Sequence, residues 1–353
     1  MKFYNLKVKD IVRETSDTIT IHLKQPLFTK VKYKSGQFLT LIVPIMGKSE
    51  RRAYSLSSAP NVDETLAVTI KRVDGGLVSN YLNDHLKVGD NMDIMEPMGQ
   101  FCLEPHKAQN RHVVLFGSGS GVTPLMSIAK SVLLFEPKSV VSFIYGNRST
   151  DTIIFKAKIE EMQKKYGDRF KVVHVLSRAE EDWLGYHGRI DRTLTINVLN
   201  LLPKLDKDNT EYFMCGPEGM MDQVVDALHF LKTPKERIHR ESFVSSAADE
   251  VKDEATLKAS GIVEQKVTIL IDGDEYIVNV PPTKTILEAA LDAGVDVPYS
   301  CQSGLCTACR GHKKSGEVKM DEDEGLSESE ITEGYILTCV SHPLTENVVV
   351  EIG

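Results

Sequence analysis

The chain has 353 residues, a formal net charge of −8, and ordinary proportions of apolar (41%) and charged (26%) residues. At roughly 100–200 residues per domain, this length implies two or three soluble domains, and the acidic balance argues against nucleic acid or an anionic membrane as the main partner. No apolar run approaches the roughly 18–20 residues that cross a bilayer, and the opening MKFYNLKVKDIVRETSDTITIHL lacks the apolar core of a secretory signal, so the expected location is the cytoplasm.

The first hundred residues read as β-rich. Thr18–Leu23, Phe38–Val43 and Thr65–Arg72 are short, β-branched segments bounded by Gly, Pro, Asn or Asp, and such spacing predicts an antiparallel barrel or sandwich. Arg52–Ser58 is expected at the start of a strand, and Gly75-Gly76 as a turn that opens a helix. The pattern changes after Pro105. His112–Phe116 is an apolar run followed by GSGSGVTPLMSIAKSVLL, which reads as strand, glycine turn and helix. Val140–Tyr145 with a helix over Thr152–Tyr166, then Phe170–Leu176, then Glu211–Cys215 with a helix over Gly219–Leu231, repeat that scheme, Glu211–Cys215 being taken as the last strand. Alternating strands and helices predict a doubly wound parallel sheet. Ser245–Gly261 is small and charged and reads as a tether. A hairpin, KVTILIDGDEYIVNV, is expected to turn at Gly273-Asp274, followed by a helix over Thr285–Ala293. The expected domains are 1–104, 105–244 and 262–353, with 245–261 as linker.

Six cysteines are unevenly placed: Cys102 and Cys215 stand alone, whereas Cys301, Cys306, Cys309 and Cys339 lie near the C-terminus. In a cytosolic chain such a group binds metal more often than it forms disulfides. The spacing C-x4-C-x2-C with a distant fourth cysteine is that of a plant-type [2Fe–2S] cluster, whose two irons need four thiolates. Ser300, Ser303, Gly304, Thr307 and Ala308 are small enough to let backbone N–H groups approach the sulfurs. A zinc site would pair C-x2-C with a second such pair or with histidines; Cys339 has only His342 nearby, and no Cys-x-His pair suggests a Rieske centre. Upstream, the glycines Gly117, Gly119 and Gly121 ahead of Thr123 and Pro124 would let backbone approach a pyrophosphate at a helix N-terminus, although this G-x-G-x-x-x-P form differs from the Rossmann G-x-G-x-x-G.

Taken in order, Arg52-Ala53-Tyr54-Ser55, Gly75–Leu82, Pro97-Met98-Gly99-Gln100-Phe101, Gly117–Pro124, Cys215–Met220 and Glu241-Ser242-Phe243 resemble the motifs of the ferredoxin–NADP⁺ reductase superfamily. With VPYSCQSGLCTACR and GYILTCVSHPL behind them, nearly the whole chain resembles its branch with a C-terminal plant-type ferredoxin domain. That branch includes the reductase components of phenylacetyl-CoA 1,2-epoxidase complexes and of Rieske-type ring-hydroxylating oxygenases. The resemblance implies three domains: an antiparallel β-barrel flavin domain, an α/β doubly wound parallel-sheet nucleotide domain, and an α+β ferredoxin-like (β-grasp) iron–sulfur domain.

It also implies roles. Arg52 would neutralise a flavin phosphate, Tyr54 would lie along the isoalloxazine or ribityl chain beside Ala53, and Ser55 would hydrogen-bond flavin N5. Ile70, Lys71, Gly76, Val78 and Ser79 would complete the flavin site. Gly117, Gly119, Gly121, Thr123 and Pro124 would hold the nucleotide pyrophosphate. Cys215, Gly216, Pro217 and Met220 would lie beside the nicotinamide, with Cys215 orienting the ring without forming a covalent bond. Glu241 and Phe243 would approach the flavin, so that Ser55, Cys215 and Glu241 are the catalytic candidates. Arg148, Ser177 and Arg178 follow the second and third strands and suit an adenosine 2′-phosphate, which favours NADPH over NADH. The likeness to the epoxidase reductases favours FAD over FMN. Hydride would then pass from NADPH to FAD, and single electrons would leave through the cluster on Cys301, Cys306, Cys309 and Cys339 to a terminal oxygenase. The alternatives are a Rieske-oxygenase reductase using NADH and possibly FMN, and a redox-sensing or electron-carrier module. Gln302 stands where many such loops carry a basic residue. The acidic residues Glu317, Asp321, Glu322, Asp323, Glu324, Glu328, Glu330 and Glu333 read as a solvated face or as a guide for a basic partner.

Overall fold

A computed structural model describes residues 2–26, 29–202, 209–243, 263–323 and 325–352; the expected tether at 245–261 lies outside them. The described chain divides into two compact units, one covering most of the residues up to Phe243 and one the C-terminal part.

The first unit begins with β1 (Phe3–Thr15), β2 (Thr18–Lys24), β3 (Phe38–Ile45), β4 (Lys48–Ser55), β5 (Thr65–Lys71), α1 (Leu77–His85) and β6 (Asn91–Met95). The strands form one sheet in the order β4-β3-β6-β1-β2-β5. Alternation sets its inner face: Ile19, Ile21 and Leu23 of β2 are buried with Leu66, Val68 and Ile70 of β5. A bridge between Leu56, just past β4, and Val68 of β5 curls the sheet on itself. The long β1 was not legible because it is charged; only Leu6 and Val8 in its first half reach the core. Register shifts at Val8/Asp10 and Arg13/Thr15 bend it around the barrel. Met46 (φ 49°) and Gly47 (φ 78°) are both left-handed, which is the two-residue hairpin turn that a twisted pair requires. This turn starts β4 at Lys48, so Arg52–Ser55 close a strand rather than open one, contrary to the sequence expectation. The polar run Lys48–Arg52 had no alternation to reveal it.

The same unit continues with β7 (His112–Ser118), α2 (Val122–Phe135), β8 (Val140–Asn147), α3 (Lys156–Tyr166), β9 (Phe170–Leu176), β10 (Tyr186–His187), α4 (Arg192–Leu201), β11 (Thr210–Cys215), α5 (Glu218–Phe230) and β12 (Ile238–Glu241). The strands are parallel in the order β10-β9-β8-β7-β11-β12. Successive residues of β7 face opposite layers: Val113 and Leu115 pack with α2 and α3, and Val114 and Phe116 with α4 and α5. Two expectations need correction. The third helix starts only at Lys156, because Phe155 is left-handed (φ 61°) and separates it from a short 3-10 turn at Thr150–Thr152. Cys215 does not end the last strand, since β12 pairs in parallel beyond β11.

Helix α2 joins the sheet to the barrel. Its Ser127 hydroxyl donates to Ser58 O at 2.6 Å, Ser131 Oγ lies 2.5 Å from Ser35 Oγ, and Lys130 Nζ donates to Ser57 O at 3.1 Å and to Asp63 at 3.0 Å. Ser127 and Ser131 are fully buried, so these bonds meet a demand that water does not meet.

The second unit holds β13 (Gln265–Ile271), β14 (Asp274–Val280), α6 (Ile286–Asp292), β15 (Arg310–Ser315), β16 (Val318–Met320), α7 (Glu328–Thr332), β17 (Tyr335–Leu337), β18 (Ser341–Pro343) and β19 (Val348–Ile352). Its main sheet runs β14-β13-β19-β15-β17, and β16 pairs with β18. Ile286, Leu287 and Ala290 of α6 pack on Val267 and Ile269 of β13, which makes this a mixed sheet that grasps one helix. The hairpin turns at Asp272 (φ 53°) and Gly273 (φ 89°), with Ile271 opposite Asp274; the turn thus lies one residue earlier than expected, because Asp can take the first left-handed position.

His112 on β7 offers a stability test. It is buried with Nε2 2.8 Å from Ser142 Oγ, and burial holds its imidazole down at about 4, against about 6.5 in an unfolded chain. Between those values the unfolded state binds more protons. This stabilising contribution is therefore complete above about pH 6.5 and is lost as pH falls towards 4. In urea unfolding from pH 7 to pH 5, the midpoint of the wild type is expected to fall more steeply than that of His112→Gln; parallel slopes would contradict this.

Candidate functional site

The cysteine loop of the second unit is built by backbone conformation. Gln302 (φ 57°) and Gly304 (φ 73°) are both left-handed, and they fold the loop so that Cys301 Sγ and Cys306 Sγ lie 3.2 Å apart. The Ser303 N–H donates to Cys301 Sγ at 3.4 Å. Thr338 ties the fourth cysteine in: its N–H and hydroxyl both donate to Cys309 O, at 3.1 and 3.0 Å, which sets Cys339 beside Cys309. A Cβ on Gly325 would sit 2.6 Å from Gly304 O and 2.9 Å from Cys306 N, so the segment that covers the loop must be glycine there.

The alternative of a zinc site with a histidine ligand does not fit. His342 is buried, but its two ring nitrogens lie 3.1 Å from Lys284 O and 3.1 Å from Asp321 Oδ2. The four sulfurs with a backbone N–H aimed at one of them suit a group that takes thiolates alone. Several acidic residues of the neighbouring stretch serve the fold itself: Glu330 caps α7 with Ser327, Glu317 pairs with Lys313 at 3.4 Å, and Asp321 meets His342. Glu324 lies outside the described residues.

In the first unit the candidates gather at the carboxyl ends of the parallel strands. The strand order reverses between β7 and β11, and the crevice outside such a switch point is where open α/β sheets bind ligands. Gly117 of β7, Cys215 of β11 and Glu241 of β12 form one row across the sheet. Glu241 accepts a hydrogen bond from Ser55 Oγ at 3.3 Å, and both side chains are buried. The three catalytic candidates, Ser55, Cys215 and Glu241, therefore meet in one seam. Burial pushes the Cys215 thiol well above its usual range, and the nearby Glu241 adds to this; Cys215 is a neutral thiol and no nucleophile.

The glycine loop lies against this row. A Cβ on Gly121 would sit 2.0 Å from Cys215 O, and one on Gly216 would meet Met220 at 2.9 Å and Ser118 at 3.2 Å. Gly119 is left-handed (φ 54°) and its carbonyl accepts from Tyr145 Oη at 2.9 Å. The Thr123 hydroxyl is turned back onto Ser120 O at 3.0 Å. Pro124 is buried, Pro217 caps α5, and Phe243 is half-exposed at the end of the described segment.

The helix starts differ in capping, and α3 and α5 also begin without a side-chain cap. α4, α6 and α7 are capped by the side chains of Asp191, Thr285 and Ser327. α1 and α2 begin at Gly76 and Gly121, with neither a side-chain cap nor an acidic residue in the first turn. The Val122 N–H at the start of α2 is already bonded to Gly119 O and Ser120 O, so any anion there would meet the N–H groups that follow it. Ser79 accepts from Val73 N–H at 3.1 Å and so shapes the turn before α1.

Other candidates are placed differently from expectation. Ile70 and Val78 lie in the barrel core, and Ile70 O accepts from Asn83 at 3.3 Å. Tyr54 packs partly on the same core, and Arg52 and Ala53 lie on β4, Arg52 donating to Arg51 O at 2.8 Å. Lys71 Nζ faces Asp17 at 3.7 Å. Arg148, Ser177 and Arg178 do come together beyond β8 and β9: the Ser177 and Arg178 N–H groups donate to Asn147 O and Arg148 O at 3.0 and 2.7 Å. Sequence reasoning missed Asn147, whose side-chain amide nitrogen is buried there with no acceptor, and Asp17, which meets Arg148 at 3.3 Å. Neither carries a motif; only the assembled fold brings them to the site. Cys102 is half-buried and stands apart.

Comparison with known proteins agrees with this layout. Residues 5–102 match the oxidoreductase FAD-binding domain, 115–226 the oxidoreductase NAD-binding domain, and 269–344 the 2Fe-2S iron-sulfur cluster binding domain. The chain is 34% identical to one of the subunits of 1,2-phenylacetyl-CoA epoxidase of Escherichia coli (strain K12), over 99% of this chain and 97% of that one. It is 35% identical to the ferredoxin reductase component of 3-ketosteroid-9-alpha-monooxygenase of Rhodococcus rhodochrous, over 98% and 96%. The structure of phthalate dioxygenase reductase shares the fold, with a TM-score of 0.66 at 23% identity over 99% of this chain and 98% of that one. Among the described residues no helix is long and apolar enough to cross a membrane.

Gly121 tests the crevice. Because a methyl group there would overlap Cys215 O, Gly121→Ala is expected to lower the kcat/KM of nicotinamide-nucleotide oxidation by more than about tenfold and to leave the bound-flavin absorbance intact. Unchanged kinetics would show that the loop does not set the nucleotide against this row.

Proposed function

We propose that this chain, which belongs to the family of oxidoreductases joining an FAD-binding, an NAD-binding and a 2Fe–2S domain, is the reductase of an oxygenase, and that this oxygenase is a phenylacetyl-CoA epoxidase. Electrons pass from NAD(P)H through FAD to the [2Fe–2S] cluster. The observation that carries the oxygenase assignment is the collinear, end-to-end likeness to a component of the Escherichia coli epoxidase. The nearly equal identity to the ferredoxin reductase component of a 3-ketosteroid-9-alpha-monooxygenase supports a second reading, service to an oxygenase of another kind, such as the Rieske-type enzymes that the motif resemblance allows. Domain limits of 1–104, 105–244 and 262–353, with 245–261 as linker, and a cytoplasmic location belong to this proposal.

FAD would supply two-electron acceptance with one-electron release, and the cluster one-electron carriage. The chain's own residues bind and orient. Arg52 and the open N-terminus of α1 beyond Gly76 would hold flavin phosphates, with Ala53, Tyr54, Lys71, Val78 and Ser79 around the rest of the cofactor. Ser55 would place its hydroxyl at flavin N5, held there by Glu241. Gly117, Gly119 and Gly121 would cradle the nucleotide pyrophosphate at the start of α2. Cys215, Gly216, Pro217 and Met220 would press the nicotinamide towards the flavin, and the neutral Cys215 thiol would form no covalent bond. Arg148, Ser177 and Arg178 form the basic group that would take the 2′-phosphate of NADPH. Cys301, Cys306, Cys309 and Cys339 would ligate the cluster, with the Ser303 N–H tuning its potential.

The test is reconstitution. With the phenylacetyl-CoA oxygenase components, the purified chain should support epoxidation driven by NAD(P)H. Cys306→Ser should lower that coupled turnover by more than about a hundredfold and leave nucleotide-driven ferricyanide reduction within about threefold. Turnover only with a Rieske oxygenase would favour the second reading, and coupled turnover unaffected by Cys306→Ser would remove the cluster from the path.

A further inference from the structure

The basic group beyond β8 and β9 is not free to act alone. Arg148 follows β8, the strand after the glycine loop, where a doubly wound sheet meets the adenosine ribose. Its Nη2 donates to Asp17 Oδ2 at 3.3 Å. Asp17 comes from the turn between β1 and β2, far away in sequence. Its carboxylate accepts from the Thr15 and Thr18 hydroxyls at 2.8 and 2.9 Å and stands 3.7 Å from Lys71 Nζ. Burial would raise Asp17, but these hydrogen bonds and the two cations outweigh it, so its carboxyl is held below the usual range and is ionised at neutral pH. Of the neighbouring carboxylates, Glu180 is turned onto Thr150, accepting from its N–H at 3.2 Å and its hydroxyl at 2.7 Å, and Asp151 accepts from the Ser149 hydroxyl. Among the described residues it is Asp17 that forms an ion pair with an arginine of this group.

We infer that Asp17 is a specificity-determining residue for the nucleotide: its carboxylate engages Arg148 and opposes an adenosine 2′-phosphate, restraining the use of NADPH relative to NADH. The inference rests on the reading of Arg148 as facing the 2′-position. A phosphate dianion arriving at Arg148 must displace the carboxylate or share the guanidinium with it, and the two anions repel. A free 2′-hydroxyl has no such conflict. Asp17→Asn keeps Oδ1 as the acceptor for Thr15 and Thr18, removes the charge, and puts an amide donor where Oδ2 accepted from Arg148, so the ion pair is lost.

The experiment compares the flavin- and cluster-loaded wild type with Asp17→Asn, Arg148→Ala and the double variant. For each, kcat/KM is measured with NADPH and with NADH, and calorimetry measures the binding of adenosine 2′,5′-bisphosphate and of AMP. Since Arg148 and Asp17 are partly exposed, Asp17→Asn is expected to raise the NADPH/NADH ratio by about 5-fold. It should tighten the bisphosphate by a similar factor and leave AMP binding unchanged. Arg148→Ala should lower the ratio, and in its background Asp17→Asn should have no effect. If Arg148→Ala lowers the ratio and Asp17→Asn does not raise it, even with a lower melting temperature, Asp17 is only a structural clamp. In that case the inference falls while the 2′-phosphate reading stands. If Arg148→Ala leaves the ratio unchanged, both fall.

Discussion

The buried polar seam along α2 is the constraint on which the catalytic arrangement depends. The helix carries the glycine loop at its N-terminus, and three positions on it, Ser127, Lys130 and Ser131, hydrogen-bond the barrel. Each such bond contributes only about 1 kcal/mol net, but a buried hydroxyl left without its partner costs more than the bond gives. The seam is therefore specific. A small rotation of the sheet against the barrel would strand several buried polar atoms at once. The same helix thus fixes the glycine loop at its own start relative to the barrel. Ser55 and Glu241, one from each side of that seam, meet because α2 holds its register.

What was legible in the sequence follows from how each part is stabilised. The central strands of the nucleotide domain are buried on both faces, so they appear as short apolar runs, and Phe170–Leu176 was bounded correctly. The four cysteines were legible because thiolate ligation demands a residue type at a spacing. The glycine loop was legible because backbone must pass where a Cβ cannot, as Gly121 against Cys215 O now makes plain. What stayed hidden was polar. β1 alternates only over Tyr4–Val8 before charge interrupts it, β4 is polar along most of its length, and β12 reads Ile-His-Arg-Glu, with no apolar run to announce a strand. The seam serines of α2 carry no motif, and their bonds exist only once the barrel is beside them.

The candidate site divides along the same line. The motif residues could be named from type and spacing, whereas the ion pair between Asp17 and Arg148 could not. Asp17 and Arg148 are 131 positions apart, and no local pattern links them. Ile70 and Val78 turn their side chains into the barrel core, so only their backbone could face a ligand. Helix starts divide by capping without dividing by role, since α3 and α5 are also uncapped. α1 and α2 begin without a side-chain cap, while α4, α6 and α7 use a side chain to close their starts.

The central claim is a continuous path from nicotinamide nucleotide through flavin to a four-thiolate iron cluster. Anaerobic titration of the as-isolated protein with NADPH and, separately, with NADH tests it most directly, followed by visible absorbance and low-temperature EPR. The account predicts bleaching of the flavin band and then a rhombic signal from the reduced cluster. Zinc in place of iron, or a cluster that only dithionite reduces, would contradict it.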